Sequence, residues 1–87
     1  MDKVEEMIEE LGLTGGEFDG NTYIVTFDSS DLFANAFNQI SDKLTPDEEG
    51  NVYSDSNSMV VFTDENVEII TNAEYDNDQY TISIGEK

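Results

Sequence analysis

Residues 58–84 read SMVVFTDENVEIITNAEYDNDQYTISI, and three runs within this stretch have the composition of β-strands. The runs SMVVFT, VEIIT and QYTISI are rich in β-branched and aromatic residues. DEN (64–66) is short enough for a hairpin turn, and DND (76–78) marks a second turn. Because short connections join strands that are neighbours in a sheet, the stretch predicts an antiparallel meander. Its outward Ser, Thr and Glu residues predict one face in contact with water.

An amphipathic helix is predicted at the start of the chain, within residues 1–11. Its apolar stripe follows the i, i+3, i+4, i+7 spacing and consists of Val4, Met7, Ile8 and Leu11. Asp2 and Glu5 form a capping-box pattern, in which both side chains accept hydrogen bonds at the start of the helix. Gly12 suits the left-handed conformation that often ends a helix.

A strand and a second helix are predicted for the middle of the chain. TYIVTF (22–27) is β-branched and aromatic, and it places Tyr23, Val25 and Phe27 on one face. DSS (28–30) offers N-caps for a helix whose apolar stripe consists of Phe33, Ala36, Phe37, Ile40 and Leu44. Lys43 suits the last turn of this helix, and Pro46 disfavours helical conformation at the residue before it.

The predicted element order is α-β-α-β-β-β-β. The fourth element is a short strand at residues 52–53, which follows a predicted loop, DEEGN (47–51). We therefore expect residues 1–87 to form a single α+β domain, with a single-layer antiparallel β-sheet and two helices packed on one face. The position of the first strand relative to the meander is left open.

The charge of the chain is strongly unbalanced. Its 87 residues include 21 Asp and Glu against three Lys, with no Arg and no His, and the net charge is −18. Such a charge argues against binding to nucleic acid or to an anionic membrane surface. No apolar run is longer than residues 59–62, and the N-terminus is too acidic for a signal peptide. A cytoplasmic protein is expected.

The sequence offers few groups for catalysis or cofactor binding. Histidine and cysteine are absent, and no lysine lies in an apolar setting, so we expect no enzyme activity. The segment DEEGNVYSDSNS (47–58) departs from the EF-hand pattern, because its glycine is fourth and its twelfth residue is serine. We expect its carboxylates to be solvated, and we expect no metal site and no cofactor.

The acidity suggests mimicry of nucleic acid. Residues four apart on a helix are separated by about 6 Å of rise, so Glu5 with Glu9 and Glu6 with Glu10 form two short rows of negative charge. Tyr75 lies in a turn between acids and is a candidate contact, whereas Tyr80 alternates with isoleucines and is expected in the core. The predicted partner-binding residues are Glu5, Glu6, Glu9, Glu10, Asp64, Glu65, Glu68, Glu74, Tyr75, Asp76 and Asp78.

The chain resembles small, acidic, phage-encoded inhibitors of bacterial defence, namely anti-CRISPR proteins and anti-restriction DNA mimics. The resemblance rests on VEEMIEEL (4–11), PDEEGN (46–51), TDENVE (63–68) and AEYDNDQY (73–80), with the small size and the absence of arginine. It implies a non-catalytic inhibitor that occludes the DNA-binding surface of a nuclease complex. The implied partner is a basic DNA- or RNA-binding protein, such as a Cas effector or a restriction enzyme.

A second hypothesis stays open. The chain could be an acidic protein-interaction or accessory domain, adapted to high salt, whose partner does not bind nucleic acid. Eight Asn and seven Ile are unlike the Ala- and Val-rich composition expected of a salt-adapted protein. Asn, Ile and Lys share A/T-rich codons, so the scarcity of Lys indicates selection against positive charge.

Overall fold

A computed structural model describes residues 3–87, with the backbone alone at residues 48–50. The elements are α1 (Lys3–Leu11), β1 (Glu17–Asp19), β2 (Thr22–Phe27), α2 (Ser30–Lys43), β3 (Pro46–Tyr53), β4 (Asn57–Thr63), β5 (Val67–Glu74) and β6 (Gln79–Glu86). The six strands form one antiparallel sheet in the order β1-β2-β6-β5-β4-β3. The predicted α+β class and element order are confirmed, and the structure adds the three-residue strand β1.

The predicted meander is formed by β4, β5 and β6, which are neighbours in the sheet. Residue 63 pairs with residue 68 across the first turn, and residue 74 pairs with residue 79 across the second. In the first turn, Asp64 Oδ1 accepts hydrogen bonds from the N–H groups of Asn66 and Val67, at 2.7 and 2.8 Å. The second contains a short 3₁₀ helix, Tyr75–Asn77, followed by Asp78 in the left-handed conformation.

The position of the first predicted strand is now defined. This strand, β2, lies beside β6, with Tyr23 opposite Ile84 and Phe27 opposite Tyr80. β1 folds back on its outer edge through a turn at Gly20, whose φ of +63° suits glycine. The outermost strands of the sheet are therefore β1 and β3.

Both helices pack on the same face of the sheet, as predicted. The buried residues of β2, β5 and β6 alternate along the chain, so they share one face with the buried residues of the helices. The members of this core include Val4, Met7 and Leu11 of α1, Phe33, Ala36 and Ile40 of α2, and Tyr23, Val25, Val60, Phe62, Val67, Ile69, Tyr80, Ile82 and Ile84 of the sheet.

The ends of the helices follow from local hydrogen bonding. Gly12 has a φ of +66°, and the N–H of Leu13 donates to the carbonyl of Ile8 at 3.0 Å, so the predicted glycine stop is confirmed. Ser29 is the N-cap of α2, because its hydroxyl accepts from the N–H of Leu32 at 3.2 Å. The predicted cap of α1, Asp2, lies outside the described residues.

The predicted loop at residues 47–51 is wrong, because β3 runs from Pro46 to Tyr53. The register shifts between Asp47 and Val52, so this strand bulges against β4. The bulge is closed by Asn51, whose Oδ1 accepts a hydrogen bond from the N–H of Val61 at 3.0 Å. Turn-forming residues are accommodated here because a bulged edge strand does not pair along its whole length.

Candidate partner-binding surface

All of the predicted partner-binding residues except Glu68 fall into two groups at opposite ends of the sheet. One group surrounds the β4–β5 turn and the other surrounds the β5–β6 turn, and β5 connects the two. Glu68 and Glu74 lie at the two ends of β5 and are six residues apart, which corresponds to about 20 Å of strand. The predicted acids therefore do not gather on one continuous face.

The first group, which we call the α1 surface, consists of Glu5, Glu6, Glu9, Glu10, Asp64 and Glu65. The glutamates of α1 are exposed because the buried residues of that helix point to the sheet. Glu6, Glu10 and Asp64 line a cleft of about 200 Å³ between α1 and the β4–β5 turn. Asp64 has a structural role as well, because its carboxylate holds that turn.

The three lysines, all within residues 3–87, lie at the α1 surface. Lys3 Nζ is 3.4 Å from Glu6 Oε2. Lys43 Nζ donates to the carbonyl of Glu10 at 3.1 Å, and Lys87 Nζ donates to the carbonyl of Asp64 at 3.4 Å. The positive charge of the described chain is therefore concentrated where it offsets part of the α1 surface.

The second group lies at the opposite end and includes residues that the sequence analysis missed. We call it the tip surface, and it consists of Asp28, Asp31, Tyr53, Asp55, Glu74, Tyr75, Asp76 and Asp78. The N–H of Tyr75 donates to the carbonyl of Ser56 at 2.9 Å, which joins the β5–β6 turn to the β3–β4 turn. Asp28 follows Phe27, which pairs with Tyr80 beside the β5–β6 turn.

Glu68 belongs to neither surface. It lies near the α1 end of the sheet face that faces away from the helices, between Thr63 of β4 and Gly85 of β6. The middle of that face carries the half-buried Ile24, Met59 and Ile70 and uncharged polar residues of β5 and β6. The sheet face therefore separates the two acidic surfaces by a strip with little charge.

The two tyrosines of the β5–β6 hairpin behave as predicted in their burial. Tyr75 is 48% exposed, and Tyr80 is 3% exposed and packs in the core. Their ring centroids are 6.1 Å apart in an edge-to-face arrangement. Burial raises the pKa of the Tyr80 hydroxyl, and the negative charge of Asp78, which accepts its hydrogen bond at 3.4 Å, raises that pKa further.

Tyr53 is the aromatic residue of the tip surface that the sequence analysis missed. It is 68% exposed at the end of β3, on the same face as the helices, because it pairs with Ser58 next to the buried Val60. The predicted strand contained only residues 52–53, which is too short for alternation to indicate which face Tyr53 occupies. The bulge in β3 determines that face, and a bulge cannot be placed from alternation in the sequence.

An apolar groove of about 340 Å³ opens between α2 and the tip ends of β3 and β4. Its walls include Phe33, Ala34 and Phe37 of α2, with Tyr53 and Tyr75 on the opposite side. Asp31 also lines the groove, in the first turn of α2, where a carboxylate is stabilised by the helix dipole. The tip surface therefore combines carboxylates with exposed aromatic rings.

Among the described residues, no three Asp or Glu side chains are grouped so that they could hold a metal ion. Neither α1 nor α2, the α-helices within residues 3–87, is long and apolar enough to cross a membrane. Comparisons with protein families, curated proteins and solved structures found no match.

Proposed function

We propose that this protein is a non-catalytic, nucleic-acid-mimicking inhibitor, which occludes the basic DNA-binding groove of a defence nuclease complex in the host cytoplasm. The observation that carries the proposal is the tip surface, where the exposed Tyr53 and Tyr75 adjoin carboxylates in the β3–β4 and β5–β6 turns, namely Asp55, Asp76 and Asp78. The lysines lie at the other end of the fold, at the α1 surface. The α1 surface then contributes mainly to long-range attraction.

The physical basis of the proposal is electrostatic attraction combined with aromatic contact. A basic groove that binds phosphates attracts an acidic protein at long range and increases the rate of encounter. Exposed tyrosines contribute contact area at low cost in conformational entropy, and they are frequent in the energetic centres of interfaces. A protein with a charge of −18 avoids binding nucleic acid itself.

The test is competition with DNA. Purified Cas effector complexes and restriction enzymes are incubated with fluorescent duplex DNA, and DNA binding is measured by anisotropy as this protein is added. We expect displacement of the DNA from at least one complex, with an affinity that falls steeply as salt concentration rises. If DNA stays bound to every complex at low salt, the proposed function is wrong.

Two variants with equal charge changes compare the surfaces. The tip variant carries Asp55→Asn, Glu74→Gln and Asp76→Asn, and the α1 variant carries Glu6→Gln, Glu9→Gln and Glu10→Gln. Both remove three negative charges, so a difference between them reports position rather than net charge. We expect the tip variant to weaken inhibition at least tenfold more than the α1 variant, which corresponds to about 1.4 kcal/mol. Equal losses of inhibition in the two variants would contradict the assignment of partner binding to the tip surface.

The accessory-domain hypothesis makes a different prediction for the same variants. If the acids serve only as a solvated, salt-adapted surface, both variants bind their partner as the unchanged protein does. Both then become more stable at low salt, because self-repulsion decreases. Urea denaturation of the variants at low and high salt concentration measures this effect.

A further inference from the structure

The apolar groove at the tip surface has no counterpart in a purely electrostatic mimic, because phosphate groups have no apolar part to imitate. Phe33 is 8% exposed at the base of the groove, and its ring lies 6.2 Å from that of Phe37. Tyr53 and Tyr75 form the opposite wall and are about half exposed or more. Burying such rings is favourable, so a partner that covers the groove gains affinity.

The charge around the groove defines the occupant. Asp31 lines the groove, and Asp55 and Asp76 lie within two residues of its wall residues Tyr53 and Tyr75 in the chain. A second copy of this chain would bring its own charge of −18 and be repelled, and nucleic acid would be repelled for the same reason. A segment with positive charge and one apolar side chain is complementary to both the rim and the walls.

We propose that this groove binds a short basic segment of the partner protein, with one leucine-like side chain in the groove and arginines beside it. The arginine guanidinium groups lie against the Tyr53 and Tyr75 rings and pair with Asp31 and Asp76 at the rim. This inference rests on the proposed function for the basic character of the partner. It adds that recognition is partly apolar and centred on α2 and β3.

Two synthetic peptides with blocked termini test the inference directly. The first has one leucine flanked by two arginines on each side, and the second has serine in place of the leucine. Each is titrated to millimolar concentration into ¹⁵N-labelled protein while the amide resonances are recorded. We expect the leucine peptide to shift the resonances of residues 30–38, 53 and 75, and to bind about tenfold more tightly than the serine peptide.

A pair of variants on one helix controls for the fold. Ala34 is exposed and lines the groove, so Ala34→Gln fills part of it with a residue that favours helix. Asn35 is the next residue of α2 and lines a different cleft, beside Gly12 and Leu13. We expect Ala34→Gln to weaken binding of the leucine peptide about tenfold, and Asn35→Gln to leave it unchanged.

Three results would overturn the inference. They are equal binding of the two peptides, shifts centred on the α1 surface, and absence of binding at millimolar peptide. The outcome is distinct from that of the proposed function, which is measured by displacement of DNA. If DNA is displaced but the leucine peptide has no preference for the groove, the inference fails and the proposed function stands. If the peptide binds the groove but no DNA is displaced, the proposed function fails.

Discussion

Replacing Tyr23 by phenylalanine removes one hydroxyl that joins the loop after α1 to the sheet. The Tyr23 hydroxyl donates to the carbonyl of Leu13 at 2.6 Å and accepts from the N–H of Gly16 at 2.8 Å. Tyr23 is 6% exposed and Leu13 is 3% exposed, so water has little access to the carbonyl that loses its partner. Leaving a buried backbone group unpaired costs about 1–3 kcal/mol, and we expect Tyr23→Phe to destabilise the protein by this amount.

That loss is a large fraction of the total stability. A domain of this size is stabilised by about 4–13 kcal/mol, and each kcal/mol lowers its Tm by about 4–8 °C. Urea denaturation followed by far-UV circular dichroism measures the change at constant salt concentration. The matched control is Tyr53→Phe, which removes a hydroxyl from a ring that is 68% exposed. If both variants lose less than about 0.5 kcal/mol, water replaces the hydroxyl and the reasoning is refuted.

Three other predictions concern the turns and the core. At Gly16 an added Cβ would lie 2.6 Å from the backbone oxygen of Ile24 in β2. Gly16→Ala should therefore lower the unfolding free energy by about 1–3 kcal/mol. Gly85→Ala should cost much less, because its Cβ would lie 3.5 Å from the Thr22 hydroxyl oxygen, an ordinary contact. Asp64→Ala should cost about 1 kcal/mol relative to Glu65→Ala, which removes the same charge from the same turn without removing its two hydrogen bonds. The pKa of Tyr80 is higher in the folded protein than in the unfolded protein, where it is near 10. The stability that the neutral Tyr80 hydroxyl contributes is therefore complete below the unfolded pKa, and it is lost as pH rises through the folded pKa. The urea midpoint should therefore fall above about pH 10, and it should fall less in Tyr80→Phe; an equal fall would contradict this assignment.

The exposure of the α1 glutamates and of Tyr75 was predictable, because it follows from the spacing of apolar residues nearby in the sequence. Once the apolar stripe of α1 is recognised, its glutamates must face water, since a helix has only one face against the sheet. Tyr80 alternates with Ile82 and Ile84 and is buried with them, whereas Tyr75 lies in a turn and is exposed. These outcomes depend on residues close in the chain, and the periods of helix and strand are visible there.

The membership of the tip surface was not predictable in the same way. Asp28 lies at this end of the fold only because β2 pairs with β6. Phe27 and its partner in that strand, Tyr80, are 53 positions apart in the chain. Tyr53 faces the groove only because three extra residues of β3 are absorbed in a bulge between Asp47 and Val52. Neither strand order nor a bulge leaves a periodic signal.

The amino-acid sequence alone determined the elements, the apolar faces, the turns of the meander and the strong negative charge of this protein. Each of these depends on side-chain chemistry within a few neighbouring residues, or on a simple sum. Only the tertiary structure decided where the charges lie relative to one another. It separates the predicted acids into two surfaces, places the lysines at the α1 surface, and forms the apolar groove at the tip surface. Those arrangements result from pairing between strands that are distant in the chain. The core that stabilises this pairing contains residues from both helices and from β2, β4, β5 and β6, so it cannot be inferred from any one segment.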